Sequence, residues 1–215
     1  MRATVFAGAL VASLIIIPSV PASAAPAVSP PPAAPVTVDV LNINGSGCRQ
    51  GTAAVAVSPD KTAFTVTYSG YLAKVGSGAK KADARRNCRL NLRVNTVAGY
   101  SPAIAQVDYR GYGELAAGAS ATYSASYRFH GADRVVAASR TFAGPYADNW
   151  QVTDGGGAAA LVFGPCGKSR NVDVDSELTV LAGASDPAST FSYITMDSAD
   201  GVAVTTYHLA WQRCS

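Results

Sequence analysis

VTVDVLNINGSGCRQGTAAVAVSPDKTAFTVTY, residues 36–68, holds a strand, a tight turn, a cysteine and a hairpin in succession. Val36, Val38 and Val40 alternate with Thr37 and Asp39, the period-two pattern of a strand with one buried face. Asn44-Gly45-Ser46-Gly47 then supplies residues that tolerate positive φ, and Cys48 follows at once, which predicts a turn anchored by a cysteine. The apolar run 53–57 reads as a second strand. Ser58-Pro59-Asp60 suits a type I turn, with proline fixing φ. Phe64, Val66 and Tyr68 alternate with Thr65 and Thr67 on the far side of that turn. The pattern predicts an antiparallel hairpin with an aromatic inner face.

Strand patterns continue outward from this stretch. Cys88, Leu90, Leu92 and Val94 face one way and Arg89, Asn91 and Arg93 the other. Further strands are expected at 103–109, 121–129, 159–163, 171–181, around 191–196, and 202–211. In 121–129 the row Ala121, Tyr123, Ala125, Tyr127 and Phe129 alternates small and large groups, which suits interdigitation with an opposing sheet. Val202 and Val204 have the opposite parity to Tyr207, Leu209 and Trp211, so a bulge or burial of both faces is expected there. Residues 70–84 read as a loop, with a short helical turn over 79–86. Many short strands at turn-punctuated spacing predict an all-β fold, an antiparallel two-sheet β-sandwich of jelly-roll-like form.

Arg2, the apolar run 5–17 and Ala22-Ser23-Ala24 form the three parts of a secretory signal peptide, residues 1–24, with cleavage after Ala24. The run is short for a transmembrane anchor, and no later stretch is long and apolar enough to cross a bilayer. The mature chain is therefore expected to be secreted, soluble and extracellular, without a membrane span. Residues 25–35, almost all Ala, Pro, Ser and Val, read as a disordered leader. Residues 36–215 remain as one domain. Without Arg2, 16 basic groups face 14 acidic ones, a net charge of +2 that calls for neither nucleic acid nor membrane as partner.

Four cysteines in an exported chain argue for two disulfides. Zinc is the alternative, but the cysteines are far apart, form no CxxC pair, and have only two histidines to complete a site. Of the three connectivities, Cys48 with Cys88 and Cys166 with Cys214 is preferred, because it closes two separate loops of moderate length. Each bridge would stabilise the fold by roughly 4 kcal/mol in the chain-entropy account.

Taken together, VLNINGSGCRQGTAAVAVSPDKTAFTVTY, NCRLNL, FAGPYADNW, PCGKSRN, MDSADG and YHLAWQRC resemble the small secreted bacterial and fungal proteins of the family catalogued as domain of unknown function 4360. The resemblance runs over about residues 36–214. It implies secretion, the four cysteines and one domain, and it brings neither an activity nor a catalytic residue.

The chain carries no GxSxG elbow, HExxH, Walker-type loop or EF-hand loop, so no catalytic residue is assigned. Phe142, Tyr146 and Trp150 offer flat apolar faces for a sugar ring or a protein, against the alternative that they plug one end of the sandwich. Asp173, Asp175 and Glu177 share one strand face. Hard oxygens at that spacing suit a shallow calcium site, the only cofactor the chain suggests. The alternatives are a solvated face or pairing with an Arg89 and Arg93 ladder. Asp197 and Asp200 read as turn residues, His130 as a solvated strand-end residue and His208 as a hydrogen-bonded structural histidine. The segment 74–93 is basic and 148–200 acidic, an asymmetry that either steers a partner or is neutralised across the sandwich.

The expected function is that of an extracellular binding or interaction module, with a glycan or a protein at a cell surface as ligand. One alternative is a hydrolase of extracellular polymer using Asp108 and Glu114, which flank the aromatic YRGYG. A structural envelope protein is the other.

Overall fold

A computed structural model describes residues 28–130, 135–155, 161, 163–164, 166, 169–196 and 204–214. Twelve strands build it: β1 (Thr37–Asn44), β2 (Ala53–Val57), β3 (Ala63–Tyr68), β4 (Leu72–Gly76), β5 (Arg85–Asn95), β6 (Tyr100–Leu115), β7 (Ser120–Phe129), β8 (Val136–Ala143), β9 (Tyr146–Gly155), β10 (Arg170–Leu181), β11 (Phe191–Thr195) and β12 (Val204–Arg213). One 3-10 turn, Lys81–Ala84, lies within the expected helical turn. The first sheet has the order β1-β5-β10-β7-β8 and the second β2-β3-β12-β6-β11-β4, with β9 added to β6; all pairings are antiparallel. Two sheets face each other across one core, and the protein is an antiparallel β-sandwich.

The row of alternating small and large residues on β7 does what its pattern predicts. Tyr123 packs across the sandwich against Tyr109 of β6, with ring centres 5.0 Å apart, and against Trp150 of β9 at 5.1 Å. Tyr127 meets Tyr207 of β12 edge-on at 6.4 Å, and Tyr207 stacks on Phe64 of the hairpin at 4.7 Å. Ala121 and Ala125, both buried, leave the room these rings need.

The opening stretch folds as hairpin and anchored turn. Ser58 closes the β2–β3 turn through its backbone and hydroxyl, both bonded to Ala63 O at 2.9 Å. At the cysteine turn, Gly47 N donates to Asn87 O at 2.8 Å, and a Cβ on Gly47 would lie 2.2 Å from the Tyr71 ring. Gly45, where a Cβ would lie 2.2 Å from Asn87 O and 3.0 Å from Cys88 Cα, lets the end of β1 approach β5 closely enough for the Cys48–Cys88 disulfide; the second bridge is Cys166–Cys214. Both are the preferred pairings. The valine alternation of β1 holds only in part: Val36 is buried and Val38 partly so, but Val40 is exposed. A register shift between Val40 and Asn42 changes the parity and turns Ile43 toward the core.

Other expectations are corrected. Residues 72–76 form β4 rather than loop. β6 runs from 100 to 115, well past the expected 103–109, because its glycines make room instead of breaking the strand. A Cβ on Gly111 would lie 2.0 Å from Thr195 O and 2.5 Å from the Trp150 ring. The last strand needs no bulge between Val204 and Tyr207: its register is unbroken from Val204 to His208, with Thr205 and Tyr207 buried and Val204 half-buried on the opposite face. A bulge falls further on and belongs to β6, where the register skips Ala105 between His208 and Leu209 while Leu209 and Trp211 stay buried.

Of the segment expected as a free leader, residues 28–35 lie against the domain. Ser29 N donates to Trp211 O at 2.7 Å, Lys61 Nζ reaches the carbonyls of Pro32 and Ala33, and Pro32 is buried. The signal peptide, Asp197, Asp200 and most of the strand expected at 159–163 lie outside the described residues; Leu161 and Phe163 are not in a strand. No helix among the described residues is long and apolar enough to cross a membrane.

Because Trp150 is 3% exposed and fills the space over Tyr123 and Gly111, Trp150→Ala is expected to cost about 3–5 kcal/mol. Urea unfolding of the purified protein measures it; a loss below about 1 kcal/mol would show that the ring is not part of the core.

Candidate ligand-binding surface

The outer face of the five-stranded sheet carries the acidic row. Asp173, Asp175 and Glu177 alternate along β10, which separates neighbouring carboxylates by about 7 Å at the strand's rise. Each turns to a different partner. Arg89 donates to Asp175 at 2.6 Å, Arg85 meets Glu177 at 2.6 Å, and Asp173 takes His130 at 2.8 Å and Asn91. Arg93 is not part of this ladder, since it stands opposite Asn171. His130 thus contacts a carboxylate and is not merely solvated. The three carboxylates do not converge, and among the described residues no group of three or more His, Cys, Asp or Glu is placed to hold a metal ion. Cross-strand pairing, the alternative to a calcium site, accounts for the contacts of these carboxylates. The pairs are exposed, so they contribute little to stability, but they neutralise a row of like charges.

Phe142, Tyr146 and Trp150 gather at one end of the sandwich, where the chain passes from β8 to β9 through Gly144 and a cis Pro145. Phe142 lies 5.6 Å from Tyr146 and 5.7 Å from Trp150. Trp150 is core and is withdrawn from the ligand surface, since its parity on β9 points it between the sheets. Tyr146, half-buried, stays at the surface and bonds Asn149 O through its hydroxyl at 3.1 Å.

The outward-facing aromatics are others. Tyr109, Gly111, Gly113 and Leu115 of β6 face inward, so alternation sends Tyr112 and Glu114 outward. β11 pairs antiparallel with this half of β6, placing Tyr193 opposite Glu114, and its own outward row is Phe191 and Tyr193. Tyr112 and Tyr193 lie 6.0 Å apart and Tyr193 and Phe191 5.7 Å apart, forming an aromatic stripe across two strands. Phe191 is 43% exposed, with Lys74 Nζ 6.0 Å above its ring. Partial burial, and then the charge of Glu114, push the Tyr193 phenol up, which keeps it a hydrogen-bond donor. A cleft of about 520 Å³ continues the stripe, lined by Glu114, Pro145, Tyr146, Ala147, Thr190 and Phe191. The signal for these residues was aromatic content on the polar parity of two strands, legible only once inward parity is known.

Asp108 and Glu114 share the outward face of β6, but six residues separate them, about 20 Å along a strand. Paired glycosidase carboxylates stand about 5–9.5 Å apart, so these two do not act as one acid–base pair. Asp108 instead bonds His208 Nε2 at 2.8 Å and Thr153 Oγ1 at 2.6 Å. Burial opposes its ionisation, but hydrogen bonds from Thr153, His208 and Gln106 outweigh it and hold the carboxyl below its ordinary range. The adjacent Asp154 faces inward, accepts Tyr109 OH and Val107 N at 3.1 Å each, and is pushed up by burial.

These opposite shifts give opposite pH dependence. Asp108 stabilises the fold at pH above the ordinary carboxylate value, and that contribution is lost as pH falls through its lowered folded value. Asp154 favours the folded state in acid and loses that contribution as pH rises through its raised value. Urea midpoints measured from acid to neutral pH should show Asp108→Asn falling behind the wild type as pH rises and Asp154→Asn gaining on it. Parallel curves for both variants would contradict the two environments.

The model of the family described as domain of unknown function 4360 matches residues 34–214. Over 175 residues the chain is 28% identical to an uncharacterized secreted protein of Arthroderma benhamiae, covering 81% of this chain and 70% of that protein. The family match spans the whole sandwich and both disulfides, and the chain belongs to this family.

Proposed function

We propose that this member of the family is a secreted binding module that holds an extracellular glycan on the aromatic stripe of its seven-stranded sheet. Secretion is supported by the relative's description and by two disulfides, which persist in oxidising surroundings. The observation that carries the binding reading is the outward row Tyr112, Tyr193 and Phe191. A β-sheet face presents such rings on a broad, shallow surface, the form that the apolar face of a sugar ring stacks on. Glu114 and Lys74 flank the rings with an acceptor and a donor for sugar hydroxyls, and the cleft beside Tyr146 gives the row a continuation. Exposed aromatics grouped this closely are otherwise costly to solubility, which argues for a ligand.

The test is depletion of the protein from solution by insoluble cellulose, chitin and peptidoglycan, with the same supernatants assayed for released sugar. Depletion without release is expected, weakened roughly tenfold by Phe191→Ala or Tyr193→Ala. Both substitutions should leave the urea midpoint nearly unchanged, because these rings lie outside the core. Depletion that both variants retain would remove the stripe as the site, and released sugar would make the protein a hydrolase. Failure on all three polymers would turn attention to a protein ligand.

A further inference from the structure

The other half of β6 carries a polar cluster that the aromatic stripe does not use. Here β12 replaces β11 as neighbour, and the bulge at Ala105 lies beside Gln106. Four side chains converge on the Asp108 carboxylate: His208 Nε2 at 2.8 Å, Thr153 Oγ1 at 2.6 Å, Gln106 Nε2 at 3.2 Å from both oxygens, and Gln151 Nε2 at 3.5 Å. A cavity of about 550 Å³ opens next to them. His208, Gln106 and Thr153 form its polar wall, and Val28, Leu161 and Ala210 its apolar one.

What these polar groups have left to offer decides the ligand. An ionised carboxylate only accepts, so each neighbour spends a donor on it. In its neutral form, with the hydrogen on Nε2, His208 presents Nδ1 as an acceptor, and Nδ1 has no partner among the described residues. Gln106, having turned its amide nitrogen to Asp108, presents Oε1. Thr153 donates its hydroxyl hydrogen to Asp108 and accepts from Gln151 at 3.2 Å, which leaves one lone pair. Among the described residues no Lys or Arg forms an ion pair with Asp108, and Arg110, the next outward residue on β6, is turned to Gln151. The wall is therefore built of acceptors with an anion behind them.

We propose that this cavity binds a primary ammonium group on a short aliphatic stem. Three N–H donors match the three remaining acceptors, the Asp108 charge favours a cation, and Val28, Leu161 and Ala210 cover the stem. The site is separate from the aromatic stripe, and its ligand is not a glycan, so the two readings stand or fall apart.

Nuclear magnetic resonance of the labelled protein titrated with n-butylammonium tests it, with butyrate and n-butanol as matched probes. Saturable shifts at the His208 ring and the Leu161 and Ala210 methyl groups are expected with the ammonium, none with butyrate, and binding at least tenfold weaker with the alcohol. Asp108→Asn should weaken the ammonium about tenfold or more. Val28→Trp narrows the cavity from an exposed wall position, 57% accessible, without touching the polar cluster, and should weaken it comparably. No saturable shift at these residues, equal binding of butyrate or butanol, or unchanged affinity in Val28→Trp would overturn the proposal.

Discussion

Tyr123 stands between Tyr109 and Trp150, and this contact across the sandwich is what the remaining structure depends on. It is possible because Ala121 and Ala125 flank Tyr123 on β7 and because Gly111 leaves space beneath Trp150. Large rings from opposing sheets interlock only where their neighbours are small, and the glycine and alanines meet that condition. Once Tyr109 faces inward, the pleat sends Asp108, Arg110, Tyr112 and Glu114 to the other side of β6. Both candidate sites lie on that outward row.

β6 also explains why the two sites differ. One of its edges pairs with β9 along Gln106–Leu115, while the other is shared between β12 and β11. The β12 half brings His208 beside Asp108, and the β11 half brings Tyr193 and Phe191 beside Tyr112. A single strand thus serves a polar cavity at one end and an aromatic surface at the other. The bulge at Ala105 precedes both sites and shifts parity between the start of β6 and the rest of it, which lets Ile104 and Val107 both reach the core.

The outer face of the other sheet follows a different rule. Its acidic row on β10 lies between Arg85 and Arg89 of β5 on one side and Arg128 of β7 on the other, with His130 also at Asp173, so charges of one strand are met by those of its neighbours. Arg85 and Arg89 of the basic segment are brought beside Glu177 and Asp175 of the acidic one, far away in the chain. The two disulfides act on the same scale, tying β1's end to β5 and the last strand to the segment before β10.

The amino-acid sequence alone determined what depends on local period and covalent chemistry. The alternation of β5, β7 and β10, the Ser58-Pro59-Asp60 hairpin, the four bridging cysteines and the two-sheet class were all legible, because side-chain period, turn chemistry and an oxidising compartment act within a few residues or on composition. Only the tertiary structure decided which aromatics are surface. Trp150 looked like a ligand platform and is core, whereas Phe191 and Tyr193 looked like strand residues and face outward, Phe191 exposed and Tyr193 half-buried. It also decided that Asp108 belongs with His208, a hundred residues away, and not with Glu114 six residues on. Parity is local, but the face of a strand that is buried depends on the sheet opposite it, and no single strand's sequence states which sheet that will be.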